Sequence, residues 1–143
     1  MHKKSIKAYI AGPLSSQKER EFVKDLSLLC ERLGIKTFLP HRDVGLWRSF
    51  RDTKKIAKGD LQGFHDCQIF IASLNGFVIG AGTSWEMGYA HAKGIPVIGI
   101  KTDKKIKDSI EELSAIIVGT TKIVTSLKEL KIEIKNLLKK IKF

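Results

Sequence analysis

Hydrophobic residues occur along the chain in two alternating patterns, which predict strands and helices in turn. Short apolar runs bounded by glycine, proline or polar residues are typical of strands. Such runs predict strands at 6–12, 35–40, 67–73, 95–100 and 121–125. Between the runs, apolar residues three and four positions apart are typical of amphipathic helices. This spacing predicts helices from Ser16 to near Gly34, at 53–66, around Glu86, at 107–118 and at 128–143.

The strand runs are apolar on successive residues, as expected for strands that are buried on both faces. Such strands are typical of a parallel sheet with helices packed on both sides. We therefore predict an α/β fold, a doubly wound sandwich with a five-stranded parallel sheet of the flavodoxin or Rossmann-like type. No internal repeat or linker interrupts residues 1–143, so a single domain is expected.

Local signals set the limits of the first helix and of the second strand. Ser16 and Glu19 form a capping-box pattern, and Gly34 marks the end of the helix. Pro40 is expected to end the second strand. The polar stretch 41–52 that follows lacks periodicity, and we predict a loop that covers a pocket.

The formal net charge of +11 favours anionic partners, which include nucleic acid, membrane surfaces and phosphorylated small molecules. Much of the surplus lies in 101–107 and 128–143. The apolar positions of the second stretch form one helical stripe, so its lysines are expected to face water. The stripe contains Leu127, Leu130, Ile134, Leu137, Leu138 and Ile141. We do not expect nucleic acid binding, because this helix lacks the aromatic and arginine residues that accompany lysine on such surfaces.

Several other classes of protein do not fit the sequence. No segment has the ~20 apolar residues of a membrane span, and the first residues do not form a signal peptide. Cys30 and Cys67 are expected to be buried thiols in a reducing cytoplasm. The histidines lack metal-ligand spacing, no P-loop motif occurs, and Trp85 replaces a glycine of the dinucleotide fingerprint. We therefore expect no metal and no cofactor.

Three segments follow predicted strands at what should be the same edge of the sheet: 9–16, 39–43 and 75–86. In doubly wound folds, ligands bind beyond the carboxyl ends of the strands. Gly80 and Gly82 would let a ligand approach the backbone there, and nearby amides would favour an anion. A glutamate at position 86 is expected to stay ionised and would suit a nucleophile. The alternative is that Thr83 and Glu86 only form a capping box.

A second carboxylate, Asp60, lies at the edge of the apolar face of the predicted helix 53–66. It is either a solvated surface group or a group that points into the site. Two carboxylates around a small pocket are typical of enzymes that cleave glycosidic bonds, where one attacks the anomeric carbon and the other manages protons.

Three stretches of sequence resemble one family. They are YIAGP (9–13), DLQGFHDCQIFIAS (60–73) and GTSWEMGYAHAKGIPVIGI (82–100). They resemble the nucleoside 2-deoxyribosyltransferases, a family that includes 2'-deoxynucleoside 5'-phosphate N-hydrolases. The resemblance implies that Glu86 is the nucleophile that attacks C1' of the sugar. It further implies that Tyr9 orients Glu86 and that Asp60 contacts the base and handles its proton.

The resemblance also bears on the phosphate of the substrate. Gly80 stands where the transferases have an aspartate that holds the 5'-hydroxyl of a nucleoside, whereas the N-hydrolases have a small neutral residue. The segment ELSAIIVG (112–119) resembles their phosphate-binding segment, which implies a homodimer with shared active sites in which Ser114 acts in the neighbouring subunit. The alternative is an ordinary serine on a helix surface. Ser15 replaces an arginine of the N-hydrolase pattern, and Ser15, Ser16 and Lys18 are expected to contact the phosphate instead.

These observations favour cleavage of the N-glycosidic bond of a (2'-deoxy)nucleoside 5'-monophosphate through Glu86. A base-exchanging deoxyribosyltransferase and a nucleotide-binding module without catalysis remain alternatives, and a nucleic-acid-binding protein ranks last. The base is expected to contact the loop 41–52, through His41, Arg42, Asp43 and Trp47. The expected substrate-binding residues are Gly12, Leu14, Ser15, Ser16, Lys18, His41, Gly80, Gly82, Met87 and Ser114.

Overall fold

The computed structural model describes residues 5–141, and a five-stranded parallel sheet forms its centre. The strands are β1 (Lys7–Ala11), β2 (Lys36–Phe38), β3 (Ile69–Ser73), β4 (Val97–Ile100) and β5 (Lys122–Val124). Their order across the sheet is β2-β1-β3-β4-β5, and every adjacent pair is parallel. The predicted α/β, doubly wound fold is therefore confirmed.

Six helices join or follow the strands in the part of the chain that the structure describes. They are α1 (Gln17–Arg32), α2 (Pro40–Asp43), α3 (Thr53–Gly63), α4 (Ala81–Ala92), α5 (Ala115–Thr120) and α6 (Leu127–Lys140). α1 and α6 cover one face of the sheet, where Leu26 and Leu130 are fully buried. α3 and α4 cover the other face, together with Phe64, Met87 and Leu113.

The pleat of β1 decides which face each of its side chains enters. Ala8 and Ile10 point toward α1 and α6, whereas Tyr9 and Ala11 point toward α3 and α4. Tyr9 pairs with Phe38 on β2 and with Phe70 on β3. Phe64 packs in the same cluster, so three aromatic side chains surround the Tyr9 ring. A tyrosine hydroxyl is thereby directed toward α4.

The predicted ends of α1 are confirmed by its caps, whereas α6 ends at Lys140, before the predicted residue 143, because Ile141 is extended. Ser16 and Glu19 form both hydrogen bonds of a capping box, and Gly34 beyond the helix has a φ of +80°. Of the stripe predicted for α6, Leu130 and Ile134 are buried and Leu137, Leu138 and Ile141 pack against the core, whereas Leu127 is exposed. Residues 142 and 143 of the predicted helix lie outside the described residues.

Three predicted elements differ from the structure. Pro40 does not simply end a strand but begins the helix α2, since its fixed φ suits the first helical position. α3 ends at Gly63 rather than Asp66, because the chain turns at Asp66, which has a φ of 60°. The predicted helix 107–118 is a 3-10 turn at Ile106–Asp108 and the separate helix α5, which Ser114 caps.

Candidate active site

A cavity of about 540 Å³ opens beyond the carboxyl ends of β1, β2 and β3. This is the switch point of the fold, where the connections leaving β1 and β3 run to opposite sides, and it lies where the sequence predicts the site. The walls consist of residues 10–15, Arg20, Pro40, residues 45–48, Ile56, Asp60, Gly80, Gly82, Thr83 and Glu86.

Glu86 borders this cavity from the second turn of α4. The helix begins at Ala81 with Gly80 as its N-cap, and no side chain caps it. Thr83 is buried within the helix, so the capping-box alternative for Thr83 and Glu86 is wrong. The Glu86 carboxylate instead accepts a hydrogen bond from the hydroxyl group of Tyr9. The backbone of α4 therefore fixes the position of Glu86, and the hydrogen bond from Tyr9 on β1 fixes the orientation of its carboxylate.

Aromatic rings hold Tyr9 in place. Its ring stacks on Phe64 with centroids 4.3 Å apart and on Phe70 at 5.2 Å, and Phe38 lies at 5.0 Å. Tyr9 is fully buried, so its hydroxyl has few ways to satisfy its hydrogen-bonding capacity other than Glu86. Burial and then the negative charge of Glu86 raise the pKa of Tyr9 far above its usual range, which keeps the hydroxyl protonated as a donor.

The charge state of Glu86 differs from the one predicted. Burial raises the pKa of Glu86 to about 7, against the opposing effect of the Tyr9 hydrogen bond and with a further rise from the charge of Asp60. The expectation that this carboxyl group simply stays ionised is therefore wrong. Near neutral pH it exchanges its proton, and only its ionised fraction can act as a nucleophile.

Asp60 borders the same cavity from α3, so the interpretation of Asp60 as a solvated surface residue is wrong. Burial raises its pKa to about 6. Its Oδ1 atom is buried and has no hydrogen-bond partner among the described residues. A buried carboxyl oxygen without a partner is costly in a protein interior, and a donor from a bound ligand would satisfy it. The two carboxyl groups of the site thus both have pKa values within reach of neutral pH.

Three glycines shape the walls of the cavity. A Cβ atom at Gly80 or Gly82 would have no heavy atom within 4 Å, so both positions leave space on the cavity side. Gly12 is different, since a Cβ there would lie 2.8 Å from Cγ1 of Val23 and 2.9 Å from Cβ of Ser73. Gly12 therefore allows the segment after β1 to pass close to β3 and α1.

The remaining predicted contact residues separate into those at the cavity and those elsewhere. Leu14 and Ser15 line it. Ser16 is occupied by capping, because its hydroxyl accepts from the amide of Glu19 and its own amide donates to the Glu19 carboxylate. Lys18 borders a different cavity of about 560 Å³, beside Asp25 and Asp103. The prediction that Ser16 and Lys18 contact a ligand in the first cavity does not fit these positions.

His41, Met87 and Ser114 are not among the residues that line the cavity. His41 lies in α2, where burial and then the positive charges of Arg20 and Arg42 lower its pKa. Met87 is buried in the core beneath α4. Ser114 is exposed and is the N-cap of α5, where its hydroxyl accepts a hydrogen bond from the amide of Ile117, so within this subunit its contact is that of a structural serine at a helix surface.

The sequence prediction missed two cations of the cavity, Arg20 and Arg48. Arg20 lies one helical turn before the buried Val23, and this spacing on the inward side of α1 is a signal that could have indicated it. Of the predicted base-reading residues, Trp47 lines the cavity, whereas Arg42 pairs with Asp43 and Glu31. Leu46 and Ile56 add apolar surface beside Trp47.

Residues 5–141 contain neither a cluster of metal ligands nor a helix that could span a membrane. No group of three or more histidine, cysteine, aspartate or glutamate side chains in this range is arranged to hold a metal ion. None of the helices in the same range has the length and apolar character needed to cross a membrane.

The chain is similar to one known family and to solved structures. The family model for nucleoside 2-deoxyribosyltransferase matches residues 8–133. A conserved protein from Enterococcus faecalis V583 has 27% identity and a TM-score of 0.75, over 93% of this chain and 99% of that one. A 2-deoxyribosyltransferase from the psychrotolerant bacterium Bacillus psychrosaccharolyticus shares the fold, with a TM-score of 0.73 and 19% identity over 87% of this chain and 90% of that one. No curated protein sequence matches the chain significantly.

Proposed function

The chain belongs to the nucleoside 2-deoxyribosyltransferase family and is thus an enzyme of N-glycosyl bonds, and within that family we propose that it hydrolyses 2'-deoxynucleoside 5'-monophosphates. The products would be a free nucleobase and 2-deoxyribose 5-phosphate. The observation that carries this proposal is the buried carboxylate of Glu86. The Tyr9 hydroxyl orients this carboxylate, and Glu86 and Asp60 line the same cavity.

The first step is attack by an ionised Glu86 oxygen on C1' of the sugar. The C1'–N bond breaks, its electron pair leaves with the base, and the Asp60 carboxyl group gives the base a proton. The Tyr9 hydroxyl donates to Glu86 throughout and limits its rotation, so less entropy is lost when the reacting atoms meet.

The second step resolves the glycosyl ester. Water attacks C1', its proton passes to the Asp60 carboxylate, and the bond from C1' to the Glu86 oxygen breaks to regenerate the carboxylate. A pKa of about 6 suits Asp60 for both proton transfers, because it can hold and release a proton near neutral pH.

Three features support a phosphorylated substrate. Gly80 and Gly82 bring no carboxylate to the wall of the cavity that would repel a phosphate. Two arginines, Arg20 and Arg48, line the same cavity. The net charge of +11 raises the local concentration of small anions.

We also propose that the enzyme is a homodimer with shared active sites. Large apolar side chains are exposed on α4, on α5 and in the loops before them, and contact with a second subunit would remove this apolar surface from water. They include Phe77, Val78, Trp85, Ile110, Ile116 and Val118. Burial of these side chains against a second copy would bring α5, and Ser114 at its start, to an interface.

The decisive experiment is chromatography of products from the four common 2'-deoxynucleosides and their 5'-monophosphates, with and without an added acceptor base. Glu86→Gln is the control, since it preserves the shape of the side chain and removes the nucleophile. Free base released from monophosphates and lost in Glu86→Gln supports hydrolysis. New nucleosides formed only with an acceptor would instead identify a base-exchanging transferase, and nucleotide binding without any product would identify a binding module.

A further inference from the structure

Arg20 has an unusual position for a helix arginine, because its side chain points back along the chain. Its Nη1 donates a hydrogen bond of 2.7 Å to the backbone carbonyl of Leu14, six residues earlier. The side chain is partly buried and borders the cavity that contains Glu86. The guanidinium group is therefore held beside the segment Leu14–Ser15, at the wall of the cavity, before any ligand binds.

Most of the hydrogen-bonding capacity of this guanidinium group is unused by the protein. A guanidinium group has five N–H donors, and the bond to Leu14 uses one of them. No carboxylate lies within 4.0 Å of it in the part of the chain that the structure describes. By contrast, Arg42 pairs with both Glu31 and Asp43. An arginine that is fixed, partly desolvated and unpaired is well suited to a phosphate, which it can bind through two parallel bonds.

Of the other candidate donors near the segment after β1, Ser15 lines the cavity but offers only a neutral hydroxyl, and the rest are engaged, lie elsewhere or are not held in place. The hydroxyl and amide groups of Ser16 form the capping box with Glu19. Lys18 borders the second cavity, where Glu21, Asp25 and Asp103 make the surroundings acidic. Arg48 lines the first cavity but is exposed on the segment 45–48, and no side-chain contact fixes it among the described residues. Arg20 is thus the pre-positioned cation of the cavity.

We propose that Arg20 binds the 5'-phosphate of the substrate and determines the preference for a nucleotide over a nucleoside. This inference rests on the proposed function, because it assigns the phosphate of that substrate to one residue. Anchoring by Leu14 reduces the entropy that the long side chain loses on binding. Arg48 would contribute charge, but less affinity, because it is not held in place.

The test measures binding by calorimetry in a Glu86→Gln background, which slows turnover. Each ligand pair consists of a 2'-deoxynucleoside 5'-monophosphate and the same nucleoside, so the difference isolates the phosphate. Arg20→Gln is compared with Arg48→Gln and with Arg32→Gln, a matched control that removes the same charge from an exposed position in the last turn of α1. Arg20→Lys keeps the charge but loses the paired geometry.

We expect Arg20→Gln to weaken monophosphate binding about 10- to 100-fold and nucleoside binding less than about 2-fold. Arg20→Lys should fall between wild type and Arg20→Gln, and Arg32→Gln should match wild type. Equal losses for both ligands would show that Arg20 only supports the fold, and a loss confined to Arg48→Gln would place the phosphate there. Either result overturns the inference.

A separate measurement distinguishes this inference from the proposed function. If no nucleotide binds at all, the proposed function fails, and inorganic phosphate then tests the anion site by its effect on thermal unfolding. Stabilisation by phosphate that Arg20→Gln abolishes and Arg32→Gln retains would support a phosphate-binding role for Arg20. Absence of any stabilisation would overturn it together with the proposed function.

Discussion

At Gly80 the protein has room for a side chain that it does not carry. A Cβ there would have no neighbour within 4 Å, and the residue is the N-cap of α4, a position that aspartate favours. Gly80→Asp should therefore fold, and it should place a carboxylate at the cavity wall. We expect this variant to lose at least about 10-fold in kcat/KM for 5'-monophosphates by repulsion, and to lose little or even gain for nucleosides.

The measurement for Gly80→Asp is a pair of kinetic assays on one monophosphate and its nucleoside. Gly80→Asn is the matched control, because it has the same shape and capping ability without the charge. An equal loss with both substrates, or the same loss in Gly80→Asn, would show that volume rather than charge decides the preference at this position.

The pH–rate profile should report the ionisation of both Glu86 and Asp60. Glu86, with a pKa of about 7, must be deprotonated, whereas Asp60, with a pKa of about 6, must hold the proton that it gives the base, so kcat/KM should be greatest between about pH 6 and pH 7 and should fall on either side. The Tyr9 hydrogen bond lowers the pKa of Glu86, so Tyr9→Phe should move this maximum to higher pH. Asp60→Asn removes both the acid and a charge that raises the pKa of Glu86, so its lower kcat/KM should rise with pH to a plateau, through a pKa below about 7, without the fall on the basic side.

The two variants thus change the profile in different ways, which separates these effects from general damage to the site. The profile is measured as kcat/KM for one substrate between pH 5 and pH 9 in wild type and both variants. A profile of the same shape and position in wild type, Tyr9→Phe and Asp60→Asn would show that other groups control it, and the assignment of Glu86 as the nucleophile would lose its support.

At the scale of elements, the contact between α3 and β2 holds the aromatic cluster in place. A Cβ at Gly63, the last residue of α3, would lie 2.3 Å from Cε1 of Phe38. The Phe38 ring in turn packs against Tyr9. Gly63→Ala should therefore destabilise the fold by about 1–3 kcal/mol through overpacking, and it should slow catalysis by displacing Tyr9.

The check for Gly63→Ala is a double-mutant cycle with Phe38→Leu, measured by urea unfolding at one protein concentration. The smaller leucine side chain relieves the overlap, so the double variant should lose less stability than the sum of the two single variants. Additive losses would mean that Gly63 is required for another reason, such as the backbone conformation at the end of α3.

The elements that could be predicted from sequence are those with many apolar residues in a regular period. The strands and the helices α1 and α6 belong to this group, because their burial depends on a long stripe of side chains. α2 has four residues and no stripe, and its start depends on Pro40 and on the bond from the Leu39 amide to the Asp43 carboxylate. Within 106–114, Leu113 is the one buried apolar side chain. No periodic pattern of apolar residues therefore marks Ser114 as the start of α5.

The same limit applies to the site. Glu86, Asp60 and Tyr9 could be identified because motifs and strand ends indicate them, and the structure brings these three together. The spacing of Arg20 from Val23 indicates only its side of α1; the guanidinium group lies at the cavity because the side chain folds back onto Leu14, and the local pattern does not specify that conformation. Lys18 borders a different cavity from the one expected, since a position near a strand end does not fix the direction of a long side chain.

At the scale of the whole molecule, a net charge of +11 does not translate directly into a binding surface. Lys101 begins one of the lysine-rich stretches, yet it is buried, pairs with Asp103 at 2.9 Å and donates to the carbonyl of Leu74. This lysine joins the ends of β3 and β4 rather than facing an anion. The charge that matters for a nucleotide is the small part that lines the cavity, in Arg20 and Arg48.

The proposed shared active site can be tested with two variants that are each expected to be inactive. Glu86→Gln removes the nucleophile. Ser114→Asp keeps the N-cap of α5, because aspartate caps as well as serine, and adds a charge that repels phosphate. If Ser114 acts in the partner subunit, a mixed dimer contains one site with both changes and one intact site.

Mixing the two inactive variants under conditions of subunit exchange should therefore restore activity, to roughly a quarter of the wild-type sites for a random equal mixture. Each variant alone, at the same total concentration, is the control, and light scattering of the mixture establishes the dimer. If Ser114 acts within its own subunit, every site in the mixed dimer contains one change and no activity returns. A monomer in light scattering would exclude a site shared between subunits, because Ser114 would then have no neighbouring active site to enter.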